Sequence, residues 1–252
     1  MAAHPSYSNP QLVEAICDIH FKLSATDPWK PSKPGALFKA VQETYPEIEP
    51  ITEQGVQLVF GPDSMPTQQL LPPRIRFKLR HRERPILLQI SEQTFTINAL
   101  KPYPGWEQVK GELAAVWPRI LEIVKPEALT RIGMRYINRV LRRTADEPPS
   151  FWLQACDFIP TAVLRSGPGF LLRLESGSDT ANRAMITLAH DRSDQKELHG
   201  ALILDIDRIT ERQINPGWND LDAAIETLHN EIWEIFRSAR GPNLDALLAG
   251  KL

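Results

Sequence analysis

The chain has 252 residues, enough for one large domain or two of roughly 110–130 residues each. Its 42% apolar and 24% charged content is that of a soluble globular protein, and its net charge of −2 gives no global pull toward nucleic acid or anionic membrane. Two cysteines are too few for a disulfide framework, and no apolar run approaches the ~20 residues of a membrane-spanning helix.

Met1 to Pro10 has neither a charged leader region nor an apolar core, so no signal peptide is read and the expected location is cytoplasmic. Cys17 and Cys156 sit among apolar neighbours and read as small buried hydrophobes in a reducing compartment. Residues 12–23 alternate: Val13, Ala15, Cys17, Ile19 and Phe21 on one face, Glu14, Asp18, His20 and Lys22 on the other. That period of two predicts a half-buried strand. Pro28, Pro31, Pro34 and Gly35 predict a loop, and residues 36–45 a short helix stopped by Pro46. Gly55 to Phe60 reads as a strand closed by Gly61-Pro62, and 61–73 as an exposed loop.

Arg74 to Leu79 alternates again, and Ile86–Ile90 and Thr94–Leu100 predict two more strands. An amphipathic helix is predicted over 105–124, with a kink or break at Pro118. After Pro126 come a strand at Leu129–Val140, a short apolar helix at Phe151–Phe158 and a turn at Gly167-Pro168-Gly169. Strands follow at Phe170–Leu174, Ala184–Ala189 and Ala201–Ile209, then a helix over 218–239 stopped by Gly241-Pro242, then a tail from Asn243 to Leu252.

One phrase occurs twice. Pro104-Gly105-Trp106 opens the first long helix and Pro216-Gly217-Trp218 the second. Val109, Leu113, Val116 and Ile120 fall in register with Leu221, Ile225, Leu228 and Ile232. A shared tripeptide with a matching apolar pattern suggests a duplicated unit. The expected fold class is α+β: two repeated β-α-β(3–4)-α units, residues 1–126 and 127–252. Each would be a curved antiparallel sheet on a long helix, resembling the TATA-binding-protein-like or helix-grip architectures.

Charge is patterned locally. Arg74, Arg76, Lys78, Arg80, Arg82 and Arg84 occupy every second position, so on a strand they share one side. Arg131, Arg135 and Arg139 share a second strand face, extended by Arg142 and Arg143, and Arg173 and Arg183 lie on later strands. Such rows repel themselves unless anions meet them. The candidate anion-binding residues are therefore Arg74, Arg76, Lys78, Arg80, Arg131 and Arg135, with Trp29, Trp152 or Tyr136 offered for stacking. The plainer reading pairs these arginines with Glu14, Asp18, Asp205 and Asp207 on neighbouring strands. Those four carboxylates are also the candidate metal ligands. His190-Asp191 and His199 flank a hairpin and lack zinc spacing, and His229 lies beside the apolar stripe of the second long helix. No nucleophile elbow, phosphate loop, dinucleotide fingerprint or Cys-x-x-Cys appears, and no cofactor is expected.

Asn9-Pro10 before Val13-Glu14-Ala15, Leu100 to Trp106 (LKPYPGW), Arg131 to Arg139 (RIGMRYINR) and Leu204-Asp205-Ile206-Asp207 resemble a family of conserved hypothetical proteins scattered through bacteria and archaea. The resemblance spans nearly the whole chain, and the Arg-Ile-Gly-x-Arg-Tyr-Ile-Asn string is its most specific part. It implies no activity, and a patchy distribution fits mobile or defence-associated genes.

Three functions are therefore expected in turn. The first is a non-enzymatic binding module whose arginine-rich sheet face, Arg76, Lys78, Arg80, Arg131 and Arg135 foremost, engages a polyanion such as nucleic acid or an acidic protein partner. The second is a metal-dependent phosphohydrolase of the triphosphate-tunnel type, although the N-terminal strand lacks that group's alternating Glu-x-Glu-x-Lys. The third is an interaction subunit whose charges are paired internally.

Overall fold

The alternation at the start of the chain forms β1 (Leu12–Leu23), with the predicted bounds. The computed structural model describes residues 6–53, 56–59, 67–70, 73–167, 169–177, 179, 181–191 and 199–252. Residues 1–5 of the predicted leader-free N-terminus lie outside these, as do Gly55, Phe60, Gly61 and Pro62 around the predicted strand and Pro168 of the predicted turn.

After β1 come α1 (Lys33–Val41), β2 (Glu47–Glu53), the hairpin β3 (Val56–Val59) and β4 (Thr67–Leu70), then β5 (Arg74–Arg80), β6 (Ile86–Ile90), β7 (Thr94–Leu100) and α2 (Trp106–Ile123). The second half has β8 (Pro126–Leu141), a 3-10 turn at Pro149–Phe151, α3 (Thr161–Leu164), β9 (Leu171–Gly177), β10 (Asn182–Asp191), β11 (Ala201–Thr210), α4 (Trp218–Ala239) and α5 (Pro242–Leu248). The fold is α+β, as expected. Among the described residues nine strands form one antiparallel sheet in the order β2-β5-β6-β7-β1-β8-β11-β10-β9, and β3 and β4 pair only with each other.

Several local expectations are corrected. β2 was not anticipated, because Pro50 lies in its middle and its charges hide the pattern. A proline is tolerated on an edge strand, where its missing N–H breaks no ladder bond, and β2 is the edge. The predicted loop 61–73 contains β4. The apolar helix expected at Phe151–Phe158 is only a 3-10 turn, and the tail contains α5. Pro118 does not end α2, which runs on to Ile123 with Pro118 on its exposed side.

The register explains which side of the sheet is core. Ala15, Cys17, Ile19 and Phe21 of β1 face the same way as Ile97 and Phe95 of β7, Met134 and Ile132 of β8, and Ile206 of β11. All are buried, and they join one cluster with the buried apolar side chains of all five helices. The helices are thus layered on this face. Both matched stripes, Val109 to Ile120 and Leu221 to Ile232, are buried in the same core. Burying each such aliphatic side chain is worth about 1.5–3 kcal/mol.

The two Pro-Gly-Trp phrases place their tryptophans at the first turn of α2 and α4, but with different backbones. Gly105 has φ 98°, open to glycine alone at no steric cost, whereas Gly217 has φ −57°. The phrases also tie the helices together. Trp106 Nε1 donates to Glu226 of α4, Trp117 Nε1 donates to the Pro216 carbonyl, and Lys110 of α2 pairs with Asp222 and Glu226. His229 is buried as expected, stacked on Trp106 at 4.4 Å with Nδ1 3.0 Å from the Tyr136 hydroxyl. Among the described residues no helix is long and apolar enough to cross a membrane.

Candidate functional site: the polar face of the sheet

Every second residue along the strands of the nine-stranded sheet points away from the helices, and these residues build the candidate site. From one edge inward they are Glu47 and Glu49 on β2, Arg76, Lys78 and Arg80 on β5, Gln89 on β6, and Thr96 and Asn98 on β7. Next come Glu14, Asp18 and His20 on β1, Arg131, Arg135 and Arg139 on β8, and Asp205 and Asp207 on β11. Thr187, Arg183, Arg173 and Glu175 complete the face on β10 and β9.

The two predicted cation rows are therefore separate. β6, β7 and β1 stand between β5 and β8, four strand spacings or about 19 Å. The β5 row is met by the edge strand instead. Lys78 pairs with Glu49 and Arg80 with Glu47 at 3.4 Å, each directly opposite in register. The row is also shorter than the sequence suggests. β5 ends at Arg80, and Arg84 crosses to the helix side to bond Glu112, which also accepts from Tyr45 at 2.9 Å. His81 packs edge-on against Tyr45 and accepts the Glu83 and Arg84 backbone N–H groups at Nδ1.

The central row lies on β8, flanked by the carboxylates of β1 and β11. Arg135 grips Asp205 with two parallel bonds, Nε to Oδ1 at 2.9 Å and Nη2 to Oδ2 at 2.6 Å. The forked geometry of guanidinium and carboxylate makes this the strongest kind of side-chain pair. Arg131 lies along Gly133, the residue opposite Asp18, and reaches Asp18 at 3.0 Å. Asp18 also accepts from Thr96 Oγ1 at 2.6 Å and sits 2.6 Å from His20 Nε2. Burial alone would raise the Asp18 carboxyl, but the His20 and Thr96 bonds and the nearby cations hold it below the usual carboxylate range. Glu14 accepts from Asn98 at 2.7 Å, and Arg139 reaches Asp191 at 3.2 Å.

Asp207 differs from these. It lies opposite Arg135 in register, yet among the described residues its carboxylate makes no hydrogen bond or close ion pair. Burial pushes its carboxyl up to about 6, against the pull of Arg131 and Arg135 and with the repulsion of Asp205 and Asp18.

The structure thus separates the four candidate metal ligands into two pairs, Glu14 with Asp18 and Asp205 with Asp207, with the arginines of β8 between them. Among the described residues no group of three or more His, Cys, Asp or Glu could hold a metal ion. The stacking candidates are dispersed too. Trp152 and Tyr136 are buried on the helix side, and only Trp29 is partly open. Trp29 lines a cleft of about 460 Å³ past the end of β1, together with His20, Lys22, Glu92 and Thr130. His190 accepts the Gly169 N–H at Nδ1, a loop-closing role.

Sequence reasoning missed Glu47, Glu49, Thr96 and Asn98, and weighed Asp191 only beside His190 as a zinc ligand. The signal for the first two was present: Glu47-Ile48-Glu49 repeats the spacing of the cation row it faces. No family model matches the chain, and no curated protein matches it.

Proposed function

We propose that this chain is a non-enzymatic protein-interaction module built of two fused β-α-β(n)-α units, 1–126 and 127–252, in the manner of TATA-binding-protein-like or helix-grip folds. The strand order supports the duplication. β1 and β8, the first strand of each half, lie side by side at the centre, and each half then runs inward from its own edge to join its first strand. The two matched Pro-Gly-Trp helices occupy equivalent positions in that order. Both cysteines are free thiols, in keeping with a reducing cytoplasm.

One observation carries the functional reading: most cations of the face meet carboxylates, on the adjacent strand or, for Arg139, one strand beyond. Arg131 meets Asp18, Arg135 meets Asp205, Arg139 meets Asp191, Lys78 meets Glu49 and Arg80 meets Glu47. A surface of alternating, locally neutralised charge suits a protein partner of matching mosaic. A polyanion would have to displace these carboxylates before gaining any phosphate contact. A polyanion remains the second reading, because Arg135 and Arg80 keep 45% and 53% of their side chains exposed while paired. The phosphohydrolase reading has the least support. It needs a closed or strongly curved sheet, whereas this one ends at β2 and β9, and it needs its carboxylates together.

Fluorescence anisotropy with labelled single-stranded RNA, duplex DNA and short polyphosphate, across a salt series, tests this. The expected result is no saturable binding at about 0.15 M salt, where the screening length is about 8 Å. Tight binding that falls steeply with salt and disappears in Arg76→Glu/Arg80→Glu, with the fold intact by circular dichroism, would overturn it in favour of the polyanion.

A further inference from the structure

The two edges of the nine-stranded sheet are built differently. β2 carries Pro50 at its centre and Glu47 and Glu49 on its polar side, devices that discourage another strand from adding on. β9, at the far edge, has no proline and begins with Leu171, which is 72% exposed. Among the described residues no strand pairs with its outer side.

The backbone of β9 has a definite polarity. The Phe170 carbonyl accepts the His190 N–H at 3.2 Å, and this pair continues the β9–β10 register. Backbone groups alternate sides along an antiparallel strand. Leu172, Leu174 and Ser176 therefore direct their N–H and C=O toward β10. Leu171, Arg173, Glu175 and Gly177 direct theirs outward. An exposed row of this kind is a template for strand addition.

We propose that this edge pairs with the same edge of a second copy of the chain, antiparallel across a two-fold axis at Leu174. The side chains choose that occupant and that register. With Leu174 on the axis, Arg173 of each copy stands directly opposite Glu175 of the other, on the polar face. Leu171 lies across from Gly177, which has no side chain to oppose it. All four outward-facing residues of each copy then fall in hydrogen-bonded positions. A strand is rarely complementary to itself in charge, in shape and in backbone phase at one register. Here Arg-x-Glu centred on Leu174 provides all three. The interface is isologous, so it closes as a dimer and does not propagate. The inference does not depend on what the polar face binds.

Sedimentation equilibrium of the full chain over about 1–200 μM, a range suited to a small interface, tests the proposal. The expected limiting mass is twice the 28.5 kDa of the chain. Arg173→Glu and Glu175→Arg should each weaken self-association at least tenfold. Mixed one to one, the two variants should regain a heterodimer, because each then presents the charge the other lacks. Arg173→Pro should also abolish the dimer, since it removes an outward N–H and no internal ladder bond, leaving the circular dichroism spectrum unchanged. A monomer throughout the range overturns the proposal. So does a dimer indifferent to Arg173→Pro, or variants that fail to recombine.

Discussion

Asp207 is the residue at which the polar face departs from its own rule. Its neighbours Asp205 and Asp18 are bonded to arginines, and it is not. Its carboxyl titrates near 6 in the folded protein against an ordinary value of 3.8, so the folded state binds its proton more tightly than the unfolded state does. The sign follows: this group's contribution to stability is favourable below about pH 4 and is lost as pH rises through 6. Asp207→Asn should therefore stabilise the protein at pH 7.5 by on the order of 1–2 kcal/mol, after allowance for partial solvent access. The gain should shrink toward zero near pH 4. Urea unfolding of both proteins at the two pH values checks this, and an equal effect at both would show that ionisation is not the cause. The sequence placed Asp207 correctly beside Asp205 on one strand face. It could not show that Arg135 would turn both its bonds to Asp205, because that choice is made by rotamers across β8 and β11.

At the scale of elements, regular patterns were legible and mixed ones were not. β1, β6 and β7 follow apolar alternation, and α2 and α4 follow clean helical stripes. β2 was hidden because tertiary position overrides propensity: Pro50 would disqualify a central strand and is harmless on an edge. The β5 row read as six cations long because alternation in sequence cannot reveal where a strand stops. The chain leaves the sheet after Arg80, and Arg84 is drawn to the buried Glu112. α2 holds one avoidable weakness. Gly111 lies on its solvent side with open space where a side chain would be. Gly111→Ala should raise stability by about 0.5–1 kcal/mol through helix propensity. Thermal or urea unfolding reads this directly, and a loss of stability would mean that another group packs where Gly111 stands.

For the whole molecule, the sequence showed a repeated phrase and a matched apolar stripe but not how the two halves of the chain meet. The meeting is the pairing of β1 with β8, two strands whose polar sides carry opposite charge: Glu14 and Asp18 on one, Arg131 and Arg135 on the other. That complementarity explains why two carboxylate-bearing strands flank the arginine-bearing one, and why the rows that looked self-repelling are stable in place. The salt dependence of stability tests this most directly, because its sign separates the alternatives. Half-buried cross-strand ion pairs attract, and screening weakens them. Unanswered cation rows repel, and screening relieves them. Urea unfolding between about 10 and 200 mM NaCl should show stability falling by on the order of 1 kcal/mol. Stability that rises over the same range would contradict a neutralised face and return the arginines to the role of a waiting anion site.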